Sequence, residues 1–239
     1  MAWLSRSTMT AALAFAALLA AGATCAAAED KEHGPCTEDA MLVFDASGSM
    51  AGNERLGIAT QDVTRIDKVR TALAKVLPSV THLRRVGLIT YGPGPYAQCN
   101  VHLSFGPKPD AAPLIMSEVN RLVPAGKTPL VSAVKQAADV LDYTKKPGVI
   151  VLLTDGEETC GGTPCDLGKF LHANAVQLTV HVIGYRVKDF SWTGEQSITD
   201  VKCLAEQNSG IYVAAQNEDE LEQALVKTLG CPMLSQVLP

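Results

Sequence analysis

Five residues in this chain have the types and spacing to hold a divalent metal ion. Residues 41–49 read Met-Leu-Val-Phe-Asp-Ala-Ser-Gly-Ser. An apolar run stops at a carboxylate, Asp45, and two hydroxyls follow at alternate positions, Ser47 and Ser49. One carboxylate and two hydroxyls on a tight loop are hard oxygen donors, the set that Mg²⁺ prefers. A second apolar run, Val149 to Leu153, leads through Thr154 to Asp155-Gly156. Thr128 stands between these two segments, just before a stretch of helical periodicity. Each residue also has an ordinary structural use. The serines suit a turn, Thr128 suits a helix cap, and the two aspartates suit the caps of helices following their strands.

The elements around these residues decide whether they meet. The run ending at Asp45 is too short for a helix and suits a buried strand over 41–45. Further strands are expected at 86–91, 148–154, 176–184 and 211–214, with a short returning strand at 100–104. The 148–154 run is almost unbroken Val, Ile and Leu, as in a central parallel strand buried on both faces. Ile66, Val69, Leu73 and Val76 fall at helical spacing, and Thr64 with Asp67 forms a capping-box pattern ahead of them. Other helical segments are 112–122, 167–173 and 198–207. Another begins at Thr128-Pro129, hydroxyl at the N-cap and proline at the first helical position, and carries Leu130, Val134, Ala137 and Leu141. Asn217 and Glu220 open the last, with Leu221, Leu225 and Leu229 as its core face. Residues 50–63 read as a loop, and Gly92-Pro93-Gly94-Pro95 as a turn cluster.

Alternating strands and helices imply one α/β domain: a doubly wound, mostly parallel central sheet flanked by helices. Parallel strands share a C-terminal edge. Asp45 and Asp155 therefore arrive at the same edge, where open α/β sheets bind ligands.

Several rival chemistries fail. Ala125-Gly126-Lys127-Thr128 imitates the end of a phosphate-binding loop, but Arg121 stands where the first glycine is required. No Gly-x-Ser-x-Gly elbow surrounds Ser47 or Ser49. His33, His82, His102, His172 and His181 are scattered without metal-ligand spacing. The net charge of −5 argues against nucleic acid and anionic lipid as partners.

The N-terminus reads as a secretory signal peptide over 1–28. Arg6 precedes an uncharged Ala/Leu-rich stretch, and Ala26-Ala27-Ala28 offers a small-x-small cleavage site. Gly22-Ala23-Thr24 lacks the large aliphatic residue that would make Cys25 a lipid anchor. Loss of this segment, with Arg6 as its one charge, leaves the mature chain at −6. A polar lead-in at 29–39, a domain over 40–231 and a tail at 232–239 follow. That length suits one α/β domain, and no later apolar stretch approaches spanning length. An exported chain is expected, periplasmic first and secreted second.

The motifs together resemble the von Willebrand factor A domain family. Asp45-x-Ser47-x-Ser49, Gly126-x-Thr128-x-Leu130 and Asp155-Gly156 follow the order of that family's metal-ion-dependent adhesion site. The run Leu-Leu-Thr-Asp-Gly-Glu-Glu-Thr-Cys-Gly-Gly-x-Pro-Cys is similar to a bacterial, cysteine-bearing branch. The resemblance implies that Ser47, Ser49 and Thr128 offer hydroxyls to Mg²⁺, with Mn²⁺ or Ca²⁺ as alternatives. It implies that Asp45 and Asp155 contribute carboxylates directly or through water. A protein partner's Asp or Glu then completes the shell, and the domain is a binding module without catalysis. The alternatives are a metal-assisted hydrolase, for which no positioned base is apparent, and a structural domain with a vestigial site. Glu157 and Glu158 read as solvated loop acids.

Six cysteines follow the signal segment, an even count that reads as three disulfides in an exported chain. Cys36 precedes the first strand and Cys231 follows the last helix, so both fall at the lower edge of the sheet and can pair. That link contributes roughly 4–5 kcal/mol in the chain-entropy model. For the other four, Cys160–Cys165 with Cys99–Cys203 is slightly favoured over Cys99–Cys160 with Cys165–Cys203. A four-cysteine zinc site is the poorer rival in an oxidising compartment.

Overall fold

The computed structural model describes residues 36–54, 63–94, 98–187 and 195–231. The signal segment at 1–28, most of the lead-in, the tail at 232–239 and residues 55–62 of the expected loop lie outside them.

The order of elements is β1 (Asp39–Asp45), a 3₁₀ turn (Gly48–Ala51), β2 (Asn53–Glu54), β3 (Val63–Thr64), α1 (Arg65–Leu83), β4 (Val86–Tyr91), β5 (Val101–Lys108), α2 (Ala112–Val119), α3 (Leu130–Val140), β6 (Pro147–Thr154), α4 (Pro164–Asn174), β7 (Gln177–Tyr185), α5 (Glu195–Glu206), β8 (Tyr212–Ala215) and α6 (Glu218–Leu229). Six strands form one sheet in the order β5-β4-β1-β6-β7-β8. Only β5 runs antiparallel to its neighbour.

Alternation along β1 explains the two cores. Leu42 and Phe44 face one layer, with Val69, Leu73 and Leu77 of α1, Ile115 of α2 and Leu225 of α6. Met41 and Val43 face the other, with Leu130, Val134 and Ala137 of α3, Leu171 of α4 and Leu204 of α5. A strand with apolar side chains on both faces belongs at the centre of a sheet covered on both sides. Truncating a side chain such as Leu73 to Ala would cost about 2–5 kcal/mol, because the close-packed layers cannot collapse fully onto the gap.

Helix α1 starts as its sequence dictates. Thr64 Oγ1 accepts from the Asp67 N–H at 3.3 Å, and Asp67 Oδ2 accepts from the Thr64 N–H at 3.3 Å. Asn217 caps α6 by accepting from the Glu220 N–H at 2.9 Å. The expected loop over 50–63 differs: β2 and β3 pair within it, Asn53 opposite Thr64. The Arg65 N–H donates to Gly52 O at 3.1 Å, so the excursion closes on itself and α1 begins beside the Ser47–Ser49 loop.

The start of α3 also departs from expectation. Its N-cap is Pro129, and no side chain of the cap residue bonds the first turn. Thr128 therefore lies one residue before the cap.

The cysteines pair as Cys36–Cys231, Cys99–Cys160 and Cys165–Cys203. The first is as expected, but the favoured Cys160–Cys165 with Cys99–Cys203 arrangement is wrong. Cys165 sits in the first turn of α4 and Cys203 in α5, and these two helices pack side by side. Cys160 lies in the loop before α4, within a 5.9 Å Cα separation of Cys99. Packing between distant segments thus decides the pairing over closeness in sequence. Three disulfides belong to an exported or extracellular chain. Among the described residues no helix is long and apolar enough to cross a membrane.

Candidate metal centre

Connections from β1 and β6 leave in opposite directions. From β1 the chain crosses through α1 to β4, and from β6 through α4 to β7 on the other side. Neighbouring strands that diverge in this way leave a crevice beyond their C-terminal ends. Asp45 ends β1, and Asp155 follows Thr154, the last residue of β6.

The loop after β1 is shaped by Asp45 itself. The Ser47 N–H donates to Asp45 Oδ1 at 2.7 Å, a local turn that aspartate side chains favour. Ser47 Oγ and Ser49 Oγ then lie 3.0 Å apart. Ser49 Oγ donates to Asp155 Oδ1 at 2.6 Å, joining the two strand ends. Thr154 Oγ1 donates to Asp45 Oδ2 at 2.7 Å.

A third loop closes against these. Ser47 bridges Gly126 in parallel register, and the Gly48 N–H donates to Gly126 O at 2.9 Å. The Gly126 N–H in turn donates to Gly92 O. Both glycines are required by this approach. A Cβ at Gly126 would stand 2.8 Å from Gly92 O, and one at Gly92, where φ is +79°, 2.7 Å from Ser47 Cα. Two residues on, the Thr128 N–H donates to Thr159 Oγ1 at 2.8 Å and its carbonyl accepts from the Thr159 N–H, tying this loop to the one after β6. Thr128 is buried, and its hydroxyl is not used as a helix cap.

Burial and the neighbouring carboxylate make the charged form of Asp45 costly. Asp45 is fully buried. Desolvation, then the neighbouring Asp155 charge, push its carboxyl up to about 6 against the hydrogen bonds from Ser47 and Thr154. Tyr91, also fully buried, lies with its hydroxyl against Asp45 and Thr154. Desolvation and then the Asp45 carboxylate hold its phenol well above the usual range.

Three contributors escape sequence reasoning. Arg65, the first residue of α1, donates from Nη1 to Asp155 Oδ2 at 2.7 Å. Thr154 orients Asp45. Glu158, expected as a solvated acid, instead accepts from the Val131 N–H at 2.8 Å and the Cys160 N–H at 2.6 Å. It supplies the α3 cap that Thr128 does not.

The donor set fits a hard cation. Oxygens about 2.1 Å from an octahedral Mg²⁺ stand about 3.0 Å apart along an edge, which matches the Ser47–Ser49 spacing. Among the described residues there is no cluster of three or more His, Cys, Asp or Glu that could hold a metal.

A doubly wound sheet covered by helices on both faces defines a class, and comparison with known proteins agrees. The von Willebrand factor type A domain profile matches residues 40–158. The chain is 30% identical over 200 residues to the uncharacterized protein YwmD of Bacillus subtilis, covering 78% of this chain and 82% of that one. The chain belongs to the von Willebrand factor A domain family. Its fold is similar to a von Willebrand factor type A structure from Catenulispora acidiphila, with TM-score 0.56, 18% identity and coverage of 81% of this chain and 42% of that one. It is also similar to the pilus adhesin SpaC of Lactobacillus rhamnosus GG, with TM-score 0.58, 15% identity and coverage of 82% and 30%.

Proposed function

We infer that this domain is an exported, periplasmic or secreted, non-catalytic binding module that docks a protein partner through a divalent cation at the β1–β6 crevice. Ser47, Ser49 and Thr128 would hold Mg²⁺ through hydroxyls, with Asp45 and Asp155 as carboxylates direct or water-bridged. When bound, the ion supplies an electrophilic position for a carboxylate of the partner. The chain's own residues do the rest. Asp45 shapes the serine loop, Thr154 fixes Asp45, and Gly92 and Gly126 let the Thr128 loop approach.

The observation that carries this reading is the convergence of Ser47, Ser49 and Asp155 within hydrogen-bond distance beside the fully buried Asp45. Desolvation and like charge both oppose burying one carboxylate next to another, and a cation beside Asp45 would offset that cost. The pilus adhesin SpaC is named for adhesion, which is the kind of role proposed here.

Arg65 favours a second reading. Its guanidinium already neutralises Asp155, as it would in a structural domain whose site has lost its ion. Envelope extract passed over immobilised domain separates the two. Retention of one partner in Mg²⁺, its release by EDTA and its absence on Asp45→Ala supports cation-bridged docking. Equal retention under all three conditions contradicts it.

A further inference from the structure

At the opposite, N-terminal edge of the sheet lies a cavity of about 370 Å³, within the range of small-molecule sites. It opens between the starts of β6 and β7 and the C-terminal end of α6. Its walls include Glu38, Arg84, Val149, His181, Ile211 and Lys227. None of them belongs to the metal centre.

Arg84 is the unusual member. Its side chain is only 5% exposed. Nη1 donates to Leu229 O at 3.2 Å. Nη2 stands 3.7 Å from Glu38 Oε2, beyond hydrogen-bond reach, and Nε is buried without a partner. A guanidinium carries five N–H donors. Burying one with so few bonds is costly unless an anion shares the space. Glu38, with a side chain 34% exposed, is a distant and partly solvated counter-ion.

His181 adds a neutral donor. Its Nδ1 accepts from the Ile211 N–H at 3.1 Å, so the ring proton sits on Nε2. Burial first, then the charges of Arg84 and Lys227, hold it neutral, with its pKa down to about 4. Arg84 and Lys227 against Glu38 leave one net positive charge on the walls. Val149 and Ile211 provide an apolar flank.

We propose that this cavity binds a small organic monocarboxylate, whose carboxylate pairs with Arg84 and Lys227 while its apolar body lies against Val149 and Ile211. One net positive charge matches a monoanion better than a dianionic phosphate. The planar guanidinium matches a carboxylate in shape.

The isosteric pair benzoate and benzamide tests this on the oxidised domain, with inorganic phosphate as a third probe. Calorimetry and amide NMR shifts are recorded together. Benzoate should bind saturably and shift the amides of Gly148, Ile211 and Gly230, leaving those of Gly126 and Gly156 unmoved. Benzamide should not bind. Lys227→Gln, at the exposed rim of the cavity, should weaken benzoate about two- to fivefold, the scale of a solvent-exposed charge pair, and leave Mg²⁺ titration unchanged. Arg84→Gln should abolish binding if it folds, and the Lys227 variant decides the matter if it does not. Equal binding of benzamide, tighter binding of phosphate, absence of saturable benzoate binding, or an unaltered benzoate affinity in Lys227→Gln would overturn the proposal.

Discussion

Asp45 is held in a place where a carboxylate does not belong on grounds of stability alone. It is fully buried, and the Asp155 charge adds to the desolvation that raises its pKa to about 6. Neutralising it should relieve that cost. In metal-free buffer at neutral pH, Asp45→Asn should match or exceed the wild type in thermal stability, by on the order of 1–3 kcal/mol. It should also lose any stabilisation by Mg²⁺. Thermal melts with and without Mg²⁺ check both halves. The convergence of Asp45, Ser47, Ser49 and Asp155 was legible because their types and spacing are local: a strand end, a serine loop, a second strand end. Their supports were not. Arg65 reaches Asp155 across 90 residues, and Thr154 reaches Asp45 across 109. Such contacts depend on which strands become neighbours, and the residue types alone do not announce them.

At the scale of elements, local chemistry was readable where it was self-contained. The Thr64–Asp67 capping box and the Asn217 cap are within one turn and appear as expected. Thr128 shows the limit, because a hydroxyl before proline is a good cap by type, yet the helix starts one residue later and Glu158 caps α3 from another segment. Disulfide pairing failed for the same reason, since α4 and α5 had to be docked before Cys165 could find Cys203. The two rim and helix bridges should behave differently. Removing Cys99–Cys160 by a double serine substitution should weaken Mg²⁺ binding, because Cys160 is held by Glu158 and adjoins Thr159, which fixes Thr128. Removing Cys165–Cys203 should lower stability by about 2–5 kcal/mol without changing Mg²⁺ affinity. Calorimetric titration and urea denaturation of both variants test the contrast.

His181 gives the β7–β8 junction a pH dependence. Unfolded, its pKa is the ordinary 6.5; folded, it lies at about 4. The folded state prefers the neutral ring, so its full contribution is present above about pH 6.5. That contribution falls as pH drops and is lost by about pH 4, for a total on the order of 3 kcal/mol. Protonation also removes the acceptor for the Ile211 N–H. Denaturation midpoints measured from pH 7 to pH 4 should fall less steeply in His181→Gln than in the wild type.

For the whole molecule, the sheet order does the positioning. Alternating periodicities were enough to anticipate a doubly wound sheet and a shared edge for Asp45 and Asp155, and the order β5-β4-β1-β6-β7-β8 makes those two strands neighbours. The approach of the Gly126 loop was less legible, because it depends on the positive φ of Gly92 and on hydrogen bonds between three separate segments. Gly126→Ala should therefore push that loop away from Ser47 and lower Mg²⁺ affinity while the sheet stays intact by circular dichroism. The central claim is that this edge holds a divalent cation, and calorimetric titration of the oxidised domain with Mg²⁺ and Mn²⁺ tests it most directly. One saturable site per chain, absent in Asp45→Ala, is the predicted result. No heat and no thermal stabilisation by either ion, in a wild-type protein that is folded, would contradict it.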